Sequence, residues 1–142
     1  MGKICARAGS PCPGRCITSR RSLLTGNLFF SDLQSARFLI NALRQAQIRG
    51  EATTLAFVVM PDHMHWLMQL DAGASLSKVV GTVKAVTAHG LGGRIWQTGF
   101  HDHALRREED LAMLARYIVA NPVRAGLVQR VGNYPHWDAV WL

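Results

Sequence analysis

The stretch Thr53 to Leu70 (TTLAFVVMPDHMHWLMQL) constrains this chain more than any other. It is rich in β-branched and aromatic residues and is broken once, at Pro61-Asp62, so it predicts two strands joined by a tight turn. The first half is continuously apolar, as expected of a central strand. In the second half side chains alternate across the strand, so Met64, Trp66 and Met68 share one face and fill a core beneath helices. His63 and His65 project together from the other face.

The flanking segments supply the remaining elements. Gly14 to Ser19 (GRCITS) suggests a first short strand, followed by the polar, basic Arg20, Arg21 and Ser22 and a turn at Gly26-Asn27. Ser31 with Gln34 reads as a capping box, and Leu33, Ala36, Ile40 and Leu43 recur at helical spacing until Gly50. Arg37, Arg44 and Arg49 decorate that helix. Ser75 caps a second helix with the stripe Leu76, Val79, Val80, Val83 and Val86, ending near His89-Gly90, with Lys78 and Lys84 on its polar face.

After a Gly-rich turn (GLGGR), residues 95–105 form a loop leading into another strand. Glu108-Glu109-Asp110 complements the N-terminal end of a third helix with the stripe Leu111, Leu114, Ala115 and Ile118. Asn121-Pro122 ends it, because the residue before proline is disfavoured in the α region. The order β-α-β-β-α-β followed by a helix is the split βαβ, ferredoxin-like arrangement of an α+β domain.

Composition narrows the class of protein. A chain of 142 residues suits one domain, residues 1–142, with a loose basic arm over 1–13. With 49% apolar and 18% charged residues a core can be buried, which excludes disordered and collagen-like chains. The formal charge of +7 makes nucleic acid the leading partner class. No run approaches the roughly 18 apolar residues of a membrane span, and no apolar signal region follows the basic start, so a cytoplasmic protein without a membrane partner is expected. Cys5, Cys12 and Cys16 are odd in number and lack a second pair of metal ligands, so they read as reduced thiols.

Two imidazoles side by side on a strand suit a divalent metal left with open positions, and by ligand type Mn²⁺, Mg²⁺ and Zn²⁺ all fit. The alternative is a pair that merely lines a polar groove. His101 and His103 around Asp102 repeat the spacing and form a rival site, to which Asp102 would add a carboxylate. Tyr117 and Asn121 lie four residues apart, on nearly one helical row, and that row can deliver a phenolic hydroxyl and an amide oxygen to one centre. Tyr117 is equally readable as an amphipathic residue at the core boundary. Tyr134, before Pro135 in a C-terminal loop, is the weaker candidate.

Three segments in order carry a resemblance: Phe57-Val58-Val59-Met60-Pro61-Asp62-His63-Met64-His65-Trp66-Leu67, then Trp96-Gln97-Thr98-Gly99-Phe100-His101-Asp102-His103, then Tyr117 to Val128 (YIVANPVRAGLV). Together they resemble the REP-associated tyrosine transposases, within the HUH superfamily of single-strand DNA nucleases. The resemblance runs from about Cys16 to Val128. It implies a ferredoxin-like fold, Mg²⁺ or Mn²⁺ held by His63 and His65 with Asn121 as third ligand, and Tyr117 as the nucleophile on a DNA phosphate. It also implies a substrate of single-stranded or hairpin DNA, the repetitive extragenic palindromes.

That assignment is chemically coherent. Tyrosine, with an ordinary pKa near ~10, is a weak nucleophile at neutral pH and needs a metal or base. Its product, a 5′-phosphotyrosine with a free 3′-hydroxyl, keeps a bond that a second strand can reverse without ATP. Unpaired bases stack on aromatic side chains at roughly 1 to 3 kcal/mol each, for which Trp96 and Phe100 are candidates. Arg20, Arg21, Lys84, Arg106, Arg107 and Arg124 are the candidates for backbone phosphates, and His103 for the groove wall.

Two other readings stay open. One is a catalytically silent hairpin-DNA-binding protein or regulator. The other is a hydrolase or oxygenase that adds Asp62 to the histidines, although strand alternation points Asp62 away unless the turn redirects it. A monomer and a homodimer both suit this helix order.

Overall fold

The computed structural model describes residues 15–99, 101–106 and 110–140. The expected basic arm and the pair Glu108-Glu109 lie outside them. The elements are β1 (Cys16–Ser22), α1 (Leu33–Ile48), β2 (Ala52–Met60), β3 (His63–Leu70), α2 (Leu76–Gly90), β4 (His101–Ala104), α3 (Leu111–Val119), the single turn α4 (Asn121–Arg124) and β5 (Trp137–Ala139).

The sheet order is β4-β1-β3-β2-β5, and neighbouring strands are antiparallel throughout. The first four strands in that order, with α1 and α2 on one face, are the ferredoxin-like arrangement expected from the sequence. The hairpin turns at Pro61-Asp62 as predicted. β1 runs further than expected, because Arg20, Arg21 and Ser22 continue the ladder opposite His65, Met64 and His63. A basic, polar run is no bar to a strand when each side chain alternates to a face that accepts it.

The strand faces divide the core in two. Phe57, Val59, Met64, Trp66 and Met68 pack against Leu39 and Leu43 of α1 and Val79, Val80 and Val83 of α2. On the other face Ala56, Val58, Met60 and Leu67 pack against Leu111, Ala115, Ile118 and Val119 of α3. A β-bulge between Thr54 and Ala56 puts Leu55 and Ala56 together in the α3 layer while Thr54 stays opposite Met68. Trp66 is fully buried, and its indole N–H donates to Thr54 Oγ1 at 3.0 Å, so the largest core side chain leaves no polar group unmet.

Helix starts and stops correct the sequence reading in detail. Asp32, not Ser31, caps α1 by accepting from Ser35 N at 3.0 Å, while Ser31 Oγ turns back to Leu28 O. Gly50 follows α1 with φ +77°, the left-handed conformation that ends a helix at least cost to glycine. The α1 stripe centres on Ala36, Leu39 and Leu43, with Leu33 exposed. In α2, Thr87 replaces Val86 in the core by donating its hydroxyl to Val83 O at 2.7 Å. A side chain on Gly90 would collide with the Phe38 ring of α1, which is how the two helices approach at that end. Ser75 and Asp110 cap α2 and α3.

β5 was not anticipated. Residues 134–140 cross the edge of β2, pairing Trp137 with Val58 and Ala139 with Ala56. Cys16 is disulfide-bonded, which corrects the reading of three reduced thiols. Pairing depends on which cysteines the fold brings within reach, and an odd count in the sequence cannot exclude it. Among the described residues no helix is long and apolar enough to cross a membrane.

Candidate active site

Register places the candidate residues. His65 on β3 sits opposite Arg20 of β1, and Arg20 in turn sits opposite His101 of β4. Directly opposed residues of antiparallel strands share a face. His65 therefore lies in one row with Arg20 and His101, on the face that carries α3, and His63 lies one step along the same face.

The two imidazoles meet edge to face with ring centroids 5.0 Å apart. His63 Nδ1 lies 2.7 Å from Asp62 Oδ1. An ionised carboxylate only accepts, so this contact puts a proton on Nδ1 and leaves Nε2 as the ring atom available to ligate. The turn thus does redirect Asp62, onto the far nitrogen of His63 as an orienting partner rather than beside the histidines as a ligand. Burial first, then the charges of His63, Arg20 and Arg124, push the pKa of His65 down to about 4, so its ring is neutral at physiological pH. His65 is thus in the form that a divalent cation requires.

No group of three His, Cys, Asp or Glu side chains among the described residues is arranged to hold a metal ion. A cation held here has two imidazoles and needs oxygen donors from elsewhere. Asn121 Nδ2 donates to Ile118 O at 2.7 Å, which ties the amide to the end of α3 and leaves its side-chain oxygen outside that bond. The rival site does not assemble. Asp102 points to the opposite face from His101 and His103, where Arg21 grips it with bonds of 2.6 and 3.1 Å.

Tyr117 lies on the solvent side of α3 and is 63% exposed. Its ring is covered by the guanidinium of Arg124, 3.7 Å from the ring centroid. Arg124 is also close enough to His65 to disfavour its protonation. The break after α3 creates this link: Pro122 starts the new turn α4, and that turn brings Arg124 back over Tyr117. The phenol, the arginine and the imidazoles therefore belong to one side of the sheet.

The remaining nucleic-acid candidates separate. Arg20 and Arg124 flank the histidines. His103 is exposed on the edge strand β4, and Arg106 is exposed just beyond it. Arg21 is only 6% exposed and faces the α2 side, where its ion pair with Asp102 occupies it, so the phosphate role expected of it does not hold. Trp96 is also buried, 5.6 Å from Phe30, and donates to Lys84 O at 3.1 Å, which makes it core rather than a stacking platform. Lys84 is on that same side and reaches Gln97 O. Phe100 and Arg107 lie outside the described residues. Sequence reasoning missed the tie between Asp62 and His63 and the capping of Tyr117 by Arg124. The adjacency of Asp62 to a turn was the signal for the first, and Pro122 between Tyr117 and Arg124 for the second.

Comparison with known proteins bears on the same residues. Residues 16–121 match the family model described as "Transposase IS200 like". A REP-associated tyrosine transposase of Escherichia coli K12 is 37% identical over 82 residues, 56% of this chain and 50% of that protein. The match thus spans half the length of that relative. A Haemophilus influenzae protein provisionally given the same name is 30% identical over 144 residues, covering 82% of each. A solved structure of a REP-associated tyrosine transposase bound to a REP hairpin superposes with a TM-score of 0.75 at 25% identity, over 92% of this chain and 77% of that one. The family match spans every element from β1 to the end of α3, including the paired histidines and the exposed tyrosine, and the chain belongs to the IS200-like transposase family.

Proposed function

We propose that this chain is a metal-dependent endonuclease and strand transferase for single-stranded DNA, acting on palindromic hairpin substrates through a covalent 5′-phosphotyrosine at Tyr117. The observation that carries the reading is the Arg124 link: one guanidinium stacks on the Tyr117 ring and bears on His65, so nucleophile and imidazole pair serve one phosphate. A hairpin substrate is supported by the related transposase solved with a REP hairpin.

Mg²⁺ or Mn²⁺, when bound, would neutralise charge on the scissile phosphate. His63 and His65 would hold it, with Asn121 contributing its amide oxygen. Asp62 fixes the ring of His63, and burial keeps His65 neutral. Arg20 and Arg124 attract and orient the phosphate. The Tyr117 oxygen, having lost its proton, attacks phosphorus, the P–O3′ bond breaks, and the departing 3′-oxygen takes up a proton. Strand joining is the reverse, with an incoming 3′-hydroxyl displacing the tyrosine, so no nucleotide is consumed. The protein acts in the cytoplasm, as monomer or homodimer.

The test is a hairpin strand labelled at its 3′ end, incubated with Mn²⁺ and resolved on a denaturing gel. A labelled protein adduct that disappears in Tyr117→Phe and with EDTA is expected. Binding without any adduct under Mg²⁺ or Mn²⁺ would leave a hairpin-binding protein instead.

A further inference from the structure

On the opposite side of the sheet from the histidines, a cavity of about 300 Å³ opens between α1 and the segment that leads into β5. Its polar lining is Arg37, Asn41, Arg44 and His136, and no carboxylate lines it. Arg37, Asn41 and Arg44 follow at i, i+4 and i+7, one row of the helix. The two arginines are thus separated by about 10.5 Å of helix rise, which two long side chains can close around a single anion. Neither guanidinium has an ion pair or hydrogen bond among the described residues, although such groups are ordinarily matched when a carboxylate is in reach.

His136 supplies an independent observation. It is only 7% exposed, yet neither ring nitrogen makes a hydrogen bond among the described residues; its one ring contact is edge to face with Tyr134 at 5.6 Å. Its position is fixed on both sides. The His136 carbonyl accepts from Val59 N at 2.9 Å, and the Tyr134 hydroxyl donates to Val59 O at 2.6 Å. The ring nitrogens are not sealed from solvent, so a ligand in the cavity can reach a ring whose position the backbone already fixes. Burial, then the charge of Arg37, holds its pKa below the usual histidine value, which places Arg37 beside the ring.

We propose that Arg37, Asn41, Arg44 and His136 form a second anion site that takes a phosphate group, separate from the phosphate handled at Tyr117. Phosphate matches the donor set: two forked guanidinia, an amide N–H and an imidazole N–H offer more donors than a carboxylate accepts comfortably, and phosphate presents more acceptor oxygens. The group comes either from a nucleic-acid backbone or from a small phosphate-bearing molecule. The chemistry is the same in both cases.

The test follows the His136 ring resonances by NMR in the metal-free full-length chain, assigned with His136→Gln. Inorganic phosphate is titrated first and a short oligothymidylate second, for the wild type and for Arg37→Ala/Arg44→Ala, whose substituted positions are on the surface of α1. Saturable shifts of His136 that weaken at least tenfold in the double variant are expected. If oligothymidylate saturates at least tenfold below inorganic phosphate, the ligand is a DNA backbone; if only phosphate acts, it is a small molecule. No response of His136 to either probe overturns the proposal, as does a response that the double variant retains. Adduct formation at Tyr117 by the double variant, measured on the 3′-labelled hairpin, reports on the proposed nuclease separately.

Discussion

The Arg124 guanidinium carbon lies over the Tyr117 ring, 3.7 Å from its centroid, although the two residues are on different helical segments. A cation over an exposed aromatic face contributes about 0.5 to 1 kcal/mol, a roughly two- to fivefold bias toward this orientation that does not bury the ring. The Tyr117 ring is thus left exposed beside a positive charge. This contact organises the chemistry proposed for the chain.

Removing each partner has a different consequence. Tyr117→Phe abolishes the covalent adduct while leaving hairpin affinity within about threefold and stability within about 0.5 kcal/mol, because the hydroxyl is on the surface. Arg124→Ala retains the nucleophile and slows adduct formation by roughly tenfold to a hundredfold, and Arg124→Lys recovers little, since a point charge cannot stack as a planar guanidinium does. Single-turnover rates on the denaturing gel check both. Full activity in Arg124→Ala would remove the arginine from the site.

In the proposed chemistry Asp62 sets metal affinity through His63. Asp62→Asn turns the carboxylate into an amide and weakens its hold on Nδ1, so the Mn²⁺ concentration for half-maximal cleavage rises by roughly 10- to 100-fold. The rate at saturating Mn²⁺ changes much less. A metal titration of the two proteins side by side measures this, and equal midpoints would show that the carboxylate does not orient the ring.

His65 makes the metal-free protein sensitive to mild acid. Its folded pKa of about 4 lies below the unfolded value of 6.5, so folding favours the neutral ring. Above pH 6.5 the full contribution is present. As pH falls from 6.5 toward 4 the unfolded chain takes up a proton that the folded protein refuses, and stability drops. His136, whose pKa is also lowered, acts in the same direction. Urea midpoints in EDTA at pH 7.5 and pH 5 are expected to differ more for the wild type than for His65→Gln.

The ion pair of Arg21 and Asp102 serves the fold. Burial works against ionisation of Asp102, but the Arg21 guanidinium outweighs it and holds the carboxyl below its ordinary range. Asp102→Ala deprives a nearly buried guanidinium of its carboxylate and costs about 3 kcal/mol in urea unfolding. Replacing both partners by apolar residues of similar size costs less. For the wild type, the contribution is present above the ordinary carboxylate range and is lost as pH falls through it, and a double-mutant cycle at neutral pH isolates the pair.

Much of this architecture was legible in the residues alone. The Pro61-Asp62 break, the alternation of Met64, Trp66 and Met68 with His63 and His65, and the helical stripe ending at Gly50 each follow from local geometry with a period of two or of about 3.6. So does the presence of both histidines on one face. Which basic residues reach that face was not legible. Arg20 and Arg21 are adjacent and chemically identical, yet one flanks His65 and the other closes on Asp102 beneath α2.

What the sequence by itself determined is therefore the elements from β1 to α3, their order and the pairing of His63 with His65, because these depend on neighbours a few positions apart. The tertiary structure alone decided that α3 packs on the histidine face, that Arg124 folds back over Tyr117, that Trp96 is core, and that β5 brings His136 to the arginines of α1. Apart from the Arg124 contact, made across the break at Pro122, each of those relations joins segments distant in the chain. Strand pairing and layer packing bring such segments together, and no local periodicity encodes which of them will meet.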